Sequence, residues 1–96
     1  MGIEYKFYVN NFDTQKLDDI LRRGPYFSDY DPDYRRYSFR MTSNTDPIVM
    51  PNLVAAIEPD GLYVCDNGGS DLGERVINYL KASLEGELGQ LRIEEI

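Results

Sequence analysis

The chain opens with alternating apolar and polar residues and then changes to helical spacing. Residues 3–9 alternate with a period of two, which predicts a strand with one buried face. Leu17 and Leu21 then recur at helical spacing, after an expected N-cap at Asp13 and before an expected left-handed cap at Gly24. The first part of the chain is therefore predicted to be a strand followed by an amphipathic helix.

Residues 26–41 are predicted to form a hairpin or an irregular loop that leads into a strand. The turn signal is Asp31-Pro32-Asp33, and whether residues 26–30 form a strand stays open. Beyond the turn, large and polar side chains alternate. We expect the inward side chains to be Tyr37, Phe39 and Met41, and the outward ones to be Arg36, Ser38 and Arg40.

The second half of the chain predicts another hairpin and another helix. Residues 53–67 contain two apolar runs around the turn at 59–61, which places glycine where positive φ is needed. Asp71 and Glu74 have the spacing of a capping box, which indicates that a helix begins there. The residues expected to end this helix are Gly86 and Gly89.

The order of elements predicts an α+β fold. A final strand is expected over residues 90–95, after a strand, a helix, two to four strands and the second helix. Each helix offers one apolar stripe and the strands alternate, so we expect a two-layer sandwich. In it, two helices cover one face of a mostly antiparallel sheet of about four to six strands, with ferredoxin-like or related topology. Residues 1–96 contain no linker and predict a single domain.

The composition excludes several kinds of active site. The chain has no histidine and one cysteine, Cys65. It therefore lacks the usual general base at neutral pH and the imidazole ligand of zinc, copper and iron sites. Carboxylates, tyrosines and arginines remain, but no spacing pairs them for catalysis. We expect a protein that is not an enzyme and that holds no metal or cofactor.

The negative charge is concentrated in the second half. The net charge is −7, and residues 49–96 contribute −6 of it through nine acidic and three basic residues. This balance disfavours binding to nucleic-acid backbones or anionic membranes and is compatible with a basic protein partner. No stretch resembles a signal peptide or approaches the length of a membrane span, so we expect a cytoplasmic protein.

The best candidate for a partner-binding surface is a segment in which tyrosine and aspartate interleave, residues 26–34. Tyrosine is common at interfaces because it offers a large contact area at low entropic cost, and nearby acid selects a basic partner. The alternative is a solvated turn. Two acids at the end of the second helix break the helix-dipole rule and indicate either an acidic patch or a frayed end. The candidate residues are Tyr26, Asp29, Tyr30, Asp31, Asp33, Tyr34, Arg36, Arg40, Glu85 and Glu87.

Two segments look like ligand-binding motifs but lack residues that those motifs require. Asp29, Asp31 and Asp33 alternate as in a calcium loop, but the glycine and glutamate of an EF-hand are absent. The glycine-rich turn at residues 68–73 lacks the lysine of a phosphate-binding loop, and Asp71 would repel a phosphate. Both segments are therefore interpreted as ordinary turns.

Two short segments resemble the RNA recognition motif family. Residues 7–12 are similar to its first-strand motif, and residues 35–39 are similar to its second signature. The resemblance implies base stacking on Tyr8, Tyr37 and Phe39. However, if the Tyr37 and Phe39 side chains faced outward, the side chains of Arg36 and Arg40 would be buried. The negative net charge also disfavours binding to nucleic acid.

These observations lead to two hypotheses about function. The first is a small acidic non-catalytic protein-binding domain, such as an inhibitor or immunity-type partner of a basic protein. The alternative is a single-stranded nucleic-acid-binding domain that uses sheet aromatics and arginines. The sequence is also compatible with a homodimer through an edge strand or through Ile48-Val49-Met50, because small sheets leave edges open.

Overall fold

The computed structural model describes residues 2–41, 50–68, 71–89 and 91–96. The chain is α+β, as predicted, with two helices and six strands among these residues. The elements are β1 (Ile3–Val9), α1 (Thr14–Arg22), β2 (Phe27–Asp31), β3 (Arg36–Phe39), β4 (Leu53–Glu58), β5 (Gly61–Asp66), α2 (Leu72–Leu88) and β6 (Leu91–Glu95).

The six strands form one antiparallel sheet in the order β2-β3-β4-β5-β1-β6. The open question about residues 26–30 is answered by β2, which pairs with β3 and forms one edge of the sheet. The other edge is β6. Because all neighbours are antiparallel, β1, β2 and β4 run in the same direction, so their last residues lie at the same end of the sheet.

One face of the sheet, here called the core face, carries the buried strand residues. Phe7 pairs with Leu62 on β5, and Phe39 pairs with Leu53 on β4, and all four side chains are buried. Each such side chain contributes about 1.5–3 kcal/mol through burial. The helix residues buried in the same cluster are Leu17, Ile20 and Leu21 of α1 and Leu72, Val76, Leu80 and Leu84 of α2.

The opposite face, here called the polar face, carries the alternate residues. Lys6 on β1 pairs with Tyr63 on β5 and with Glu94 on β6, so these three side chains share this face. Arg36 and Ser38 lie on the same face of β3, because Ser38 pairs with Val54 and Val54 with Cys65 across the sheet. The period-two pattern of the sequence thus sorts the strands correctly.

The beginning of α1 is as predicted, and its end is not. The Asp13 side chain accepts a hydrogen bond from the Gln15 backbone N–H at 2.9 Å, which is the expected N-cap. The C-cap is Arg23 in a right-handed conformation, so the expected left-handed cap at Gly24 is wrong. Gly24 instead allows close packing, because an added Cβ would lie 3.1 Å from the Tyr79 ring.

Both predicted ends of α2 also need correction. Asp71 makes no side-chain capping bond, so no capping box with Glu74 forms. Its carboxylate instead accepts a hydrogen bond from the Arg75 side chain at 3.1 Å. The helix continues through Gly86, and Gly89, with φ of 87°, is the residue that caps it.

The predicted register of β3 holds within the strand and fails after it. Tyr37 and Phe39 are buried on the core face, as expected. Met41 is 46% exposed, which contradicts its expected inward position, because the strand ends at Phe39. The Arg40 side chain, expected outward, is only 9% exposed, since its backbone N–H bonds to the Tyr26 carbonyl and its guanidinium lies near Asp29. Ser38, also expected outward, is 6% exposed because β3 lies inside the sheet.

The predicted hairpin of β4 and β5 is confirmed. Gly61 follows the turn with φ of 150°, and a Cβ there would collide with the Phe7 carbonyl of β1. Only glycine therefore allows β5 to begin this close to β1. In the apolar loop triplet, Ile48 and Val49 lie outside the described residues, and Met50 is 71% exposed.

Candidate functional site

An open groove of about 1440 Å³ lies at the end of the sheet where β1, β2 and β4 finish. We call it the end groove, and its walls come from five parts of the described chain. These are the end of β1 with the loop after it, the β2–β3 hairpin, the β4–β5 turn, the end of α2 and the start of β6. The residues that matter below are Tyr8, Phe12, Tyr30, Arg35, Asp60 and Glu85.

Tyr30 and Tyr37 form an aromatic wall of the end groove. They are cross-strand partners on β2 and β3, with ring centroids 4.6 Å apart. The guanidinium of Arg22, on α1, lies 5.1 Å from the centre of the Tyr30 ring. Because the Tyr30 ring packs at a tilt against the Tyr37 ring and is covered by a cation, its position is fixed before any ligand arrives.

A hydrogen bond from Tyr37 to α1 also holds the aromatic wall in place. The Tyr37 hydroxyl donates to the Asp18 carboxylate of α1 at 2.5 Å. Burial raises the pKa of Tyr37, and the bond to Asp18 raises it further. Burial also raises the pKa of Asp18, but hydrogen bonds from Tyr37 and Arg22 outweigh this and leave it below its usual range. Asp18 therefore stays ionised and holds the β2–β3 hairpin against α1.

A charged cluster borders the groove at the β4–β5 turn. The Lys6 ammonium contacts the Glu58 carboxylate and lies 2.6 Å from that of Asp60. Burial lowers the pKa of Lys6, but these two partners outweigh it and raise the net value. The hydrogen bond from Lys6 lowers the pKa of Asp60. Both carboxylates are thus compensated by one cation before any partner binds.

Two charged residues of the groove have no ion-pair partner within residues 2–41, 50–68, 71–89 and 91–96. Glu85 lies in the last turn of α2, and Arg35 ends the β2–β3 turn with φ of 54°. The Glu85 carboxylate lies at the negative end of the α2 dipole, which disfavours its charge, and no ion pair in the described part of the chain offsets this. Glu85 is therefore available to a cation from outside the chain.

The end groove brings together residues from two separate predictions. Tyr30 belongs to the tyrosine–aspartate segment and Glu85 to the acidic helix end, and both line the groove. The hairpin tip lies beside Tyr30 in sequence. There Tyr34 is 73% exposed, and the Arg36 guanidinium lies 5.6 Å from the centre of its ring.

Two of the predicted aspartates lie at this tip. The Asp31 carboxylate accepts hydrogen bonds from the backbone N–H groups of Asp33 at 2.9 Å and Tyr34 at 3.4 Å. This is the local side-chain bonding that stabilises turns, so Asp31 has a structural use. Asp33 is exposed at the tip.

The remaining predicted residues lie elsewhere. Asp29 lies 3.8 Å from the Arg40 guanidinium, on the polar face side of the hairpin. Tyr26 is partly buried, and Arg75 approaches its hydroxyl at 3.5 Å. The structure therefore distributes the predicted set over the groove, the tip and the polar face, with Tyr26 beside α2.

Glu87, the second acid of the helix end, does not line the groove. Its carboxylate lies 3.5 Å from the Arg23 guanidinium at the end of α1. Glu85 and Glu87 therefore do not act as one patch, and the unfavourable charge of Glu87 is offset by a neighbouring helix.

Sequence reasoning missed the polar pairs between strands that are distant in the chain. The Tyr63 hydroxyl contacts the Glu4 carboxylate, and the Arg92 guanidinium lies 4.2 Å from the centre of the Tyr8 ring. The outward parity of Glu4 and Tyr8 was visible in the alternation of β1. Their partners follow only from the pairing order of the strands.

Within the described residues, no cluster of three or more cysteine, aspartate or glutamate side chains has suitable geometry to hold a metal ion. Over the same part of the chain, neither helix is long and apolar enough to cross a membrane.

Comparison of the sequence with protein-family models and with curated proteins finds no match, and comparison with solved structures finds none.

Proposed function

We propose that this protein is a non-catalytic binding domain that recognises a basic segment of another protein in the end groove. The observation that carries the proposal is that Glu85 and the Tyr30 wall line the same opening. An inhibitor or immunity-type partner of a basic protein is the class that such a domain would represent.

The aromatic lining supports recognition of a cationic side chain. Tyr8, Phe12 and Tyr30 all line the groove. A guanidinium or ammonium over an aromatic face gains about 0.5–2 kcal/mol, more as water is excluded. Arg22 and Arg92 already occupy this kind of position on Tyr30 and Tyr8. A partner's arginine would extend the same stacking into the groove, with its charge directed to Glu85.

The overall charge supports the same partner class. The net charge of −7 attracts a basic protein over distances of about a Debye length, roughly 8 Å at physiological salt. Arg35 lies on the groove wall as well, so a partner segment with an acid beside its arginine would fit better than a uniformly basic one.

Peptide titration tests this proposal. An arginine-rich peptide should shift the amide NMR signals of residues around Tyr30 and Glu85, whereas a glutamate-rich peptide of equal length should not. Glu85→Gln should weaken binding about three- to tenfold, as expected for the loss of one partly exposed charge pair. Glu74→Gln is the matched control, because Glu74 is exposed in the first turn of the same helix and does not line the groove.

The proposal is wrong if the arginine-rich peptide leaves these signals unchanged, or if both glutamate variants weaken binding equally. Titration with a short single-stranded RNA tests the alternative function. Salt-sensitive quenching of tyrosine fluorescence by RNA would favour the nucleic-acid alternative. The resemblance to the RNA recognition motif family implies three rings that stack bases. Two of them, Tyr37 and Phe39, are buried, which leaves Tyr8 to stack a base.

We also propose the finer form of the fold. The strand order β4-β5-β1-β6 with α1 and α2 as crossovers matches a split βαβ, ferredoxin-like arrangement into which the β2–β3 hairpin is inserted. The two helices contact each other, since the Tyr79 hydroxyl donates to the Ile20 carbonyl at 2.6 Å. This contact supports a two-layer arrangement with both helices on the core face.

A further inference from the structure

We propose that two copies of this chain associate through their β6 strands, in a single register set by Arg92 and Glu94. The strand lies at an edge of the sheet, with β1 as its neighbour on the inner side. The occupant of the outer side would be a second β6, running antiparallel. This inference does not rest on the function proposed for the end groove.

The direction of the backbone groups follows from one hydrogen bond. The Ile96 N–H donates to the Glu4 carbonyl at 2.8 Å, and β1 and β6 are antiparallel. Since antiparallel pairs alternate, the backbone groups of Arg92 and Glu94 also point towards β1. Those of Leu91, Ile93 and Glu95 therefore point outward from the edge, where a second strand would meet them.

Only registers that keep the core faces on the same side are compatible with a continuous sheet. Among them, a pair centred on Arg92 would oppose two arginines, and a pair centred on Glu94 would oppose two glutamates. A pair centred on Ile93 places Arg92 of each copy opposite Glu94 of the other. It also makes Ile93 and its symmetry mate a hydrogen-bonded pair, and the arginine and glutamate a closer non-hydrogen-bonded pair.

The charged side chains that would pair in this register are accessible to a second copy. Arg92 is 67% exposed and Glu94 is 50% exposed, and they already lie 3.3 Å apart within one strand. In the dimer these two residues and their mates would form a cluster of four alternating charges on the polar face. Two exposed charges in one strand gain little alone, whereas a network across strands holds each side chain with less loss of entropy.

The other edge of the sheet does not offer the same possibility. The register of β2 against β3 shifts between Phe27 and Asp29, and such irregularities protect edges from pairing. Self-pairing of β2 centred on Asp29 or Tyr30 would place an aspartate opposite an aspartate. The acidic edge strand β2 is thus protected against pairing with a second copy. The other edge strand, β6, carries charges of both signs and is complementary to itself.

Sedimentation velocity over a wide concentration range tests the proposal. The wild-type chain should show a monomer–dimer equilibrium that shifts with concentration, as suits an interface at the small end of the known range. Arg92→Glu alone and Glu94→Arg alone should each weaken self-association about tenfold or more, because two opposite-charge pairs become two like-charge pairs. Circular dichroism confirms that each variant is folded.

The decisive sample is an equimolar mixture of the two variants. Residues 92 and 94 are then both acidic in one chain and both basic in the other, so a heterodimer should form at about the wild-type affinity or tighter. Lys16→Glu is the net-charge control for Arg92→Glu, because it also replaces a cation by an anion, on the exposed surface of α1. A wild-type chain that stays monomeric, a mixture that stays monomeric, or equal weakening by Lys16→Glu would each overturn the proposal.

Discussion

The two faces of the sheet use polar groups in opposite ways. On the core face, the Tyr37 hydroxyl is directed at one partly buried target, the Asp18 carboxylate of α1, at 2.5 Å. On the polar face, the Lys6 side chain, itself 11% exposed, lies between the Glu58 and Asp60 carboxylates, which are 42% and 59% exposed. The first arrangement fixes one contact between a helix and a hairpin, and the second spreads charge over a wet surface.

This difference indicates where stability and recognition reside. A hydrogen bond to a charged group in a partly buried site contributes about 1.5–3 kcal/mol, whereas an exposed ion pair contributes about 0–1 kcal/mol. The core face therefore specifies the fold, and the polar face and the end groove can change charge at little cost in folding. Three substitutions, taken from the largest expected effect to the smallest, test this division.

Phe39→Ala should have the largest effect. Phe39 is fully buried on the core face, and its ring lies 5.8 Å from that of Phe27. We expect a loss of about 3–5 kcal/mol of unfolding free energy, from lost burial and from the cavity left behind. That is a large part of the roughly 5–14 kcal/mol available to a chain of this length. Urea denaturation followed by circular dichroism measures it.

Tyr34→Ala is the matched aromatic control in the same hairpin. Its ring is 73% exposed, so the change in unfolding free energy should stay within about 0.5 kcal/mol. Comparable losses for the two variants would mean that the hairpin does not have a core side and a solvent side, which would invalidate the comparison of faces.

Much of this division could be predicted from the sequence, because local chemistry determines it. The alternation around Tyr37 and Phe39 set their inward direction, and the turn before Gly61 set the β4–β5 hairpin. The N-cap at Asp13 is equally local, since the carboxylate bonds two residues along the chain. In each case, the residues that decide the structure lie within a few positions of one another.

The errors arose where a distant element decided the outcome. The sequence predicts a local cap at Gly24, but this residue faces the Tyr79 ring, 55 positions later in the numbering. Arg40 was interpreted as solvent-facing and is covered because β2 returns beside it. The end groove was not predictable for the same reason. It joins Tyr30 to Glu85 through strand order, which no short stretch of sequence encodes.

Tyr37→Phe should have the second largest effect, and that effect should depend on pH. Removing the hydroxyl should cost about 1.5–3 kcal/mol near pH 7, because an ionised acceptor loses its donor. The folded-state pKa of Asp18 lies below its ordinary value of 3.8. Its contribution is therefore complete above that value and is lost as the pH falls through the folded-state pKa. The cost of the substitution should shrink in acid.

Tyr79→Phe separates this charge effect from the loss of a hydroxyl. The Tyr79 hydroxyl donates to the neutral Ile20 carbonyl at 2.6 Å, so its removal should cost about 0.5–1.5 kcal/mol. That cost should be the same at neutral and at acid pH, because the acceptor does not titrate. If the Tyr37 and Tyr79 variants respond to acid alike, Asp18 is not the cause.

Lys6→Met should have the smallest effect and should be sensitive to salt. Methionine preserves the length of the side chain and removes the charge, so about 0–1 kcal/mol should be lost near pH 7. The pKa of Lys6 is raised above 10.5, so its contribution is fully present below that value and is lost only at higher pH. Urea denaturation at low and at high salt measures the loss.

The salt dependence is the sharpest distinction between the faces. The Lys6 side chain is 11% exposed, but its partners Glu58 and Asp60 both reach solvent, so about 1 M salt, with a Debye length of roughly 3 Å, should reduce the Lys6 effect. The Tyr37 effect should persist under the same conditions, because its partner Asp18 is only 24% exposed and the contact is a short, direct hydrogen bond. If salt reduces both losses in proportion, then Asp18 is solvated like a surface carboxylate. The hairpin would in that case be held by burial of its rings alone.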